Sequence, residues 1–223
     1  RTLLNQIMMQ LQMEFVGAGH QYAMTRACSM LTGPGAAKEA MVGSSFIQWV
    51  KAQCAADDGQ LDEIAAQLKA VAGKAFCAKR LTVSLSSNAE KLIDPVLRAF
   101  PKGSASGSAQ LTPNTTDQIG LPIPAPIGFA SKASNIKNYG GSFHGSIYVL
   151  TNVLNFIYLW NEIRVQGGAY GCGFAGRDDG DMFFYTYRDP QPGRSLNVFD
   201  KAVDFVRSFC AQKMDLTPMI LGS

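Results

Sequence analysis

Apolar residues recur at helical spacing through most of this chain, and the rhythm breaks wherever glycine, proline or a polar run intervenes. Leu4, Ile7, Met8, Leu11 and Phe15 predict a helix over residues 1–18, ended by Gly17 and Gly19. Gln21 to Leu31 alternates loosely and is expected as a strand. Pro34-Gly35 marks a turn, and Met41, Phe46, Ile47 and Val50 predict a helix from about 36 to 55, broken by Asp57-Asp58-Gly59. Leu61, Ile64, Leu68 and Val71 share a face of a helix over 61–72. Leu81 to Leu85 is expected as a short strand, and Ser87 or Asn88 caps a helix over about 89–99.

Pro101 to Gln118 has the composition of a flexible connector, so the domain boundary is placed there. The expected division is 1–100, a linker over 101–118, and 119–223. In the last part, Ile127 to Lys132 is expected as a strand and Gly145 to Val165 as a long apolar helix. The helix ends at Gly167-Gly168, a pair suited to the positive-φ position of a C-cap. A hairpin follows, Tyr170 to Ala175 and Met182 to Arg188, turning at Arg177-Asp178-Asp179-Gly180. A last helix over 195–211 presents Leu196, Phe199, Val203, Val206 and Cys210 as its apolar stripe. The two sides of the connector share a helix, glycine break, tyrosine and further helix, which suggests two related α+β units, each a mostly antiparallel sheet with helices on one face.

The helix-to-hairpin corner concentrates the candidate chemistry. Arg164 falls in the last helical turn, where the helix dipole favours a cation, and Tyr170 opens the strand six residues on. Both side chains reach far and donate hydrogen bonds, a pairing suited to a carbonyl or a developing oxyanion. Gly171, Gly173 and Ala175 leave the other strand face nearly bare, a candidate groove for a second backbone. The structural alternative is a solvated arginine at a helix end beside a core tyrosine.

Other signals count for less. Gly171 to Gly176 spells G-x-G-x-x-G but follows a helix and leads into a turn, the wrong context for a dinucleotide site. The apolar run from Ile147 to Trp160 is shorter than the roughly 18 residues a membrane span needs, so a core helix is expected and no membrane span. His20 and His144 are unpaired with other ligands, and neither H-x-x-E-H nor H-E-x-x-H occurs, so no metal site is expected. Asp178, Asp179 and Asp181 read as a solvated turn.

Composition narrows the picture further. With 223 residues and 47% apolar content the chain can bury a sizeable core, in one large domain or two small ones. A net charge of +3, evenly spread, gives no argument for nucleic acid. Five cysteines without a C-x-x-C pair point to buried thiols in a reducing intracellular compartment, either cytoplasm or an organelle matrix. The opening at Arg1, with no signal-peptide pattern, reads as an excised piece.

The run from Tyr158 to Gly171, YLWNEIRVQGGAYG, followed by Phe184 to Pro190, FYTYRDP, resembles the C-terminal half of zinc peptidases of the pitrilysin and insulinase family, in their presequence-protease branch. Gly19 to Ala23, with Arg26-Ala27, resembles the preceding domain of the same half. The resemblance implies a truncated pair, the latter part of the third domain (1–100) and the first part of the fourth (119–223), of a four-domain metalloendopeptidase that degrades unfolded peptides. It implies zinc and a catalytic glutamate in a separate N-terminal half, and it matches Arg164 and Tyr170 to the residues that contact substrate at the metal. This stretch would then bind peptide, pair with the N-terminal half, and be inactive alone. Cys172 departs from the glycine usual in relatives, and Asp215 to Ser223 is expected to be unanchored. The alternative within the same family is a catalytically silent scaffold or peptide-binding subunit.

Overall fold

A computed structural model describes residues 1–84, 91, 93–103, 110–115 and 118–223. The fold is α+β, with one three-stranded antiparallel sheet among the described residues.

The first part is helical: α1 (Thr2–Gly17), α2 (Gly19–Ser29), α3 (Gly33–Val42), α4 (Ser44–Cys54), α5 (Asp58–Ala75) and the short α6 (Ile93–Ala99). The expected strand over Gln21 to Leu31 is α2 instead. Its buried residues are Gly19, Tyr22, Cys28 and Ser29, a spacing near 3.6 that loose alternation had disguised. The expected helix from 36 to 55 is two helices. Gly43 is extended between them, and the buried Glu39 reaches across to accept from Ser44 Oγ (2.5 Å) and the Ser45 amide (3.0 Å). A carboxylate thus serves one open amide at the start of α4. Helix α5 begins earlier than its apolar face suggests, because Asp57 and Gln60 form a reciprocal capping box. Residues 81–84 carry no strand, which corrects that expectation, while Leu85 and the capping candidates Ser87 and Asn88 lie outside the described residues.

The sheet follows the connector, with β1 (Ser131–Asn135), β2 (Gly171–Gly176) and β3 (Asp181–Tyr187) in the order β1-β3-β2. β2 and β3 form the expected hairpin, with Gly171 opposite Tyr187 and Gly176 opposite Met182. β1 lies further along the chain than Ile127 to Lys132; Gly128 makes only an isolated bridge to Asp189. The strand carries little apolar signal because its buried end is Asn135, whose amide donates to Asp181 Oδ1 at 2.7 Å.

Between β1 and the hairpin runs the long helix, α7 (Ser146–Asn152), which continues without interruption as a π-helical segment over Val153–Val165. Leu154, Leu159 and Ile163 on this segment form the core with Ala130, Ala169, Phe174 and three residues of the helices that follow. Those are α8 (Pro192–Asp200) and α9 (Ala202–Ala211), two helices where one was expected. The break at Lys201 resets the phase: Val198, Phe199, Ala202 and Phe209 are buried, whereas Leu196, Val203 and Cys210 face solvent. The chain's last residues include α10 (Thr217–Leu221), tied back where Asn152 donates to the Met219 carbonyl at 3.1 Å. Beyond that single tie the residues from Asp215 to Ser223 are exposed apart from the half-buried Met219, close to expectation.

Helix α2 lies against β1 and β3, on the sheet face that carries Phe183, Tyr185 and Tyr187. The π-helical segment packs at β2. Because Phe174 and Phe184 form a non-hydrogen-bonded pair, the Phe174 amide and carbonyl point away from β3. Asn155 meets both, accepting from the amide at 2.6 Å and donating to the carbonyl at 3.1 Å. One side-chain amide thus substitutes for a neighbouring strand at the open edge.

Candidate functional site

The site is built by the way the π-helical segment ends. Gln166 donates to Asn161 at 3.0 Å, Gly168 to Arg164 at 3.1 Å, and Ala169 to Ile163 at 3.1 Å. Gly168 takes φ +79°, the left-handed turn that redirects the chain into β2. The free carbonyls at this end find side-chain donors: Arg194 reaches the Glu162 carbonyl and Gln191 the Gly167 carbonyl. Neither donor was singled out from sequence, since both lie in or beside the next helix and their partners are known only once it docks.

Tyr170 is held through its backbone. Its amide donates to the Arg188 carbonyl at 3.2 Å, and its carbonyl accepts from Arg164 Nη1 at 2.6 Å. Arg188 has φ 49°, a left-handed conformation unusual for a bulky residue, and it ends β3 beside that amide. Next to it, the buried Asp189 bridges Gly128 and accepts from the Gln191 amide at 2.7 Å. The Arg188-Asp189-Pro190 sequence therefore shapes the far wall of the corner.

The side chains point outward. Tyr170 is 65% exposed, and its ring meets the Tyr187 ring edge-on at 5.8 Å. The Arg164 guanidinium lies 4.4 Å over the Trp160 ring and 5.4 Å over the Tyr170 ring. The cation and the phenol thus share one solvent-facing corner, with one of the guanidinium's five N–H groups engaged by Tyr170's own carbonyl.

The strand face beside them is not bare. Gly173 is buried under the Tyr185 ring, whose nearest atoms lie 2.7 Å from where a Cβ would stand, and Tyr187 covers Gly171 at 3.5 Å. The glycines make room for cross-strand tyrosines, so in this structure the Gly171 and Gly173 face holds rings where an open groove was expected. Cys172, on the opposite face, packs against the core and donates to the Leu159 carbonyl at 3.3 Å. Burial pushes its thiol up to about 11.

The aromatic chain continues from Tyr187 to His20 on α2, at 4.8 Å, and from His20 to Tyr185 at 5.9 Å. Burial lowers the His20 pKa, which keeps the ring neutral at neutral pH, and its buried Nδ1 has no partner among the described residues. A cavity of about 720 Å³ opens there, lined by His20, Tyr22, Lys38, Arg177, Phe183 and Tyr185. Sequence spacing offered no sign of it, because it forms only where α2 crosses the sheet.

The described residues gather no set of three His, Cys, Asp or Glu able to hold a metal ion. A zinc centre therefore does not fit these residues. No described helix is long and apolar enough to cross a membrane.

Residues 119–223, which contain this corner, match the family model described as the PreP C-terminal domain. The chain is similar to presequence-protease-like proteins of the pitrilysin family. It is 28% identical over 218 residues to presequence protease 1, chloroplastic/mitochondrial, of Arabidopsis thaliana, covering 93% of this chain and 20% of that protein. It is 27% identical to the mitochondrial presequence protease of Drosophila melanogaster, covering 93% of this chain and 21% of that protein. Protein HypA of Clostridium perfringens is 34% identical over 104 residues, which is 47% of this chain and 11% of that protein. The chain thus spans about a fifth of the length of the presequence proteases it matches. The similarity of residues 119–223 is to a C-terminal part of such proteins.

Proposed function

We propose that this chain is the substrate-contacting, non-catalytic part of a zinc metalloendopeptidase that degrades unfolded peptides. The zinc, the glutamate that activates its water and the N-terminal half that carries them are assigned to other parts of the enzyme. Arg164 holds and orients substrate backbone through the N–H groups that Tyr170's carbonyl leaves free. The Tyr170 phenol donates to the scissile carbonyl or to the tetrahedral oxyanion. The observation that carries this reading is the shared solvent-facing corner, where the guanidinium lies 5.4 Å over the Tyr170 ring and the phenol is exposed. The names of the relatives suggest presequence-type peptides as substrate and an organelle interior as the compartment, which suits five free thiols.

The test is made in the enzyme that joins this chain to its zinc-bearing half. Tyr170→Phe and Arg164→Ala are expected to lower kcat by about 10²–10³, the usual loss for one oxyanion donor, with zinc content unchanged by elemental analysis. Turnover at the wild-type level in both variants overturns the reading.

A second reading, a catalytically silent scaffold, draws on the 2.6 Å bond from Arg164 to Tyr170's own carbonyl, which already gives the arginine a structural role. Peptide binding without cleavage by the complete protein would select it.

A further inference from the structure

We propose that Trp160 is a positioning residue for Arg164, setting the guanidinium plane from which substrate backbone is held. This rests on the reading of Arg164 given above and adds a residue to it. Trp160 lies four residues before Arg164 on the same face of the π-helical segment, where side chains are neighbours. The residue is 47% exposed, too open to be explained by core packing, and the guanidinium carbon sits 4.4 Å from the ring centroid. That distance is within the range of a cation–π contact, which is strongest on tryptophan.

Two constraints fix the arginine at this corner. The bond from Nη1 to the Tyr170 carbonyl at 2.6 Å fixes one point of the fork, and a single point leaves the plane free to turn about it. The indole face supplies the second constraint, because the guanidinium carbon lies 4.4 Å over that ring and its swing about the bond is limited by the contact. The remaining N–H groups are then aimed outward in a fixed direction beside the exposed phenol. A flexible arginine would have to be ordered by the substrate at each binding event, a cost that preorganisation removes.

The experiment uses the complete enzyme and a peptide substrate. Trp160→Ala is expected to lower kcat/KM by about 2–5-fold, as the loss of an exposed cation–π contact predicts, with zinc content unchanged. Trp160→Phe keeps an aromatic face and should recover most of that loss. Trp160→Leu keeps apolar bulk without one and should not. On the Arg164→Ala background, Trp160→Ala should cost nothing further. A readout without turnover is the tryptophan emission of this chain by itself in a Trp49→Phe background, where Trp160 is its one remaining tryptophan; Arg164→Ala should shift it. Full activity in Trp160→Leu, or additive losses in the double variant, overturns the role of Trp160 while leaving Arg164 in place. Wild-type turnover in Arg164→Ala removes the reading beneath it, so the two failures are distinguishable. If Trp160→Ala does not fold, the Phe and Leu pair decides the matter alone.

Discussion

Helix α5, with one apolar stripe, and the more uniformly apolar π-helical segment meet opposite fates. Leu159 and Ile163 on the π-helical segment are fully buried, and the aromatic rings around them pair closely, Tyr158 on Phe205 at 4.5 Å and Phe184 on Phe199 at 5.0 Å. On α5, Leu68 and Val71 are 62% and 61% exposed, and no residue of the helix is buried. Helix α5 is held locally, by its capping box, while the π-helical segment is held by what packs on it. An apolar stripe specifies which face of a helix is to be covered. It does not specify the covering, and the burial that stabilises comes only with the partner.

The largest test of this contrast is truncation on each side. Ile163→Ala should cost about 2–5 kcal/mol, as a fully buried large-to-small change does. Leu68→Ala and Val71→Ala should stay within about 0.5 kcal/mol, the range of surface substitutions. Urea denaturation of this chain measures all three, and a loss at Leu68 comparable to that at Ile163 would show that α5 is covered after all.

Asn155→Ala should cost about 2 kcal/mol, because the Phe174 amide and carbonyl both lose their partner at the sheet edge. Amide exchange at Phe174 should accelerate in the same variant. Unchanged exchange would mean that packing of the π-helical segment, without its side-chain amide, protects that edge.

The smallest effect concerns the thiols. Burial pushes Cys28 up to about 12 and Cys172 up to about 11 from an ordinary 9.0, so near pH 8 neither should react with a disulfide reagent before unfolding, while the exposed Cys210 should label at once. The sign of the linked stability follows. Above about pH 9 the unfolded chain ionises these thiols and the folded chain does not, so stability is full below that value and falls as pH rises through 11. Early labelling of Cys172 at pH 8 would show that the contact with the Leu159 carbonyl opens readily.

The sequence by itself determined the elements whose cause is local. The glycine cap at Gly168, the hairpin with its turn at Arg177 to Gly180, and the six-residue spacing from Arg164 to Tyr170 all follow from backbone preference and chain connectivity. Tertiary structure decided the rest. Gln21 to Leu31 became a helix because its buried positions recur near every 3.6 residues once it meets the sheet. Ser131 to Asn135 became a strand through pairing with β3 and a buried amide-to-carboxylate bond, neither of which leaves an apolar pattern. The glycine face of β2 filled with tyrosine rings because register, which residue spacing cannot state, set Tyr185 opposite Gly173. Chain order brings a guanidinium and a phenol to the same corner, but only the packing of indole, carbonyl and neighbouring strand fixes the direction in which they face.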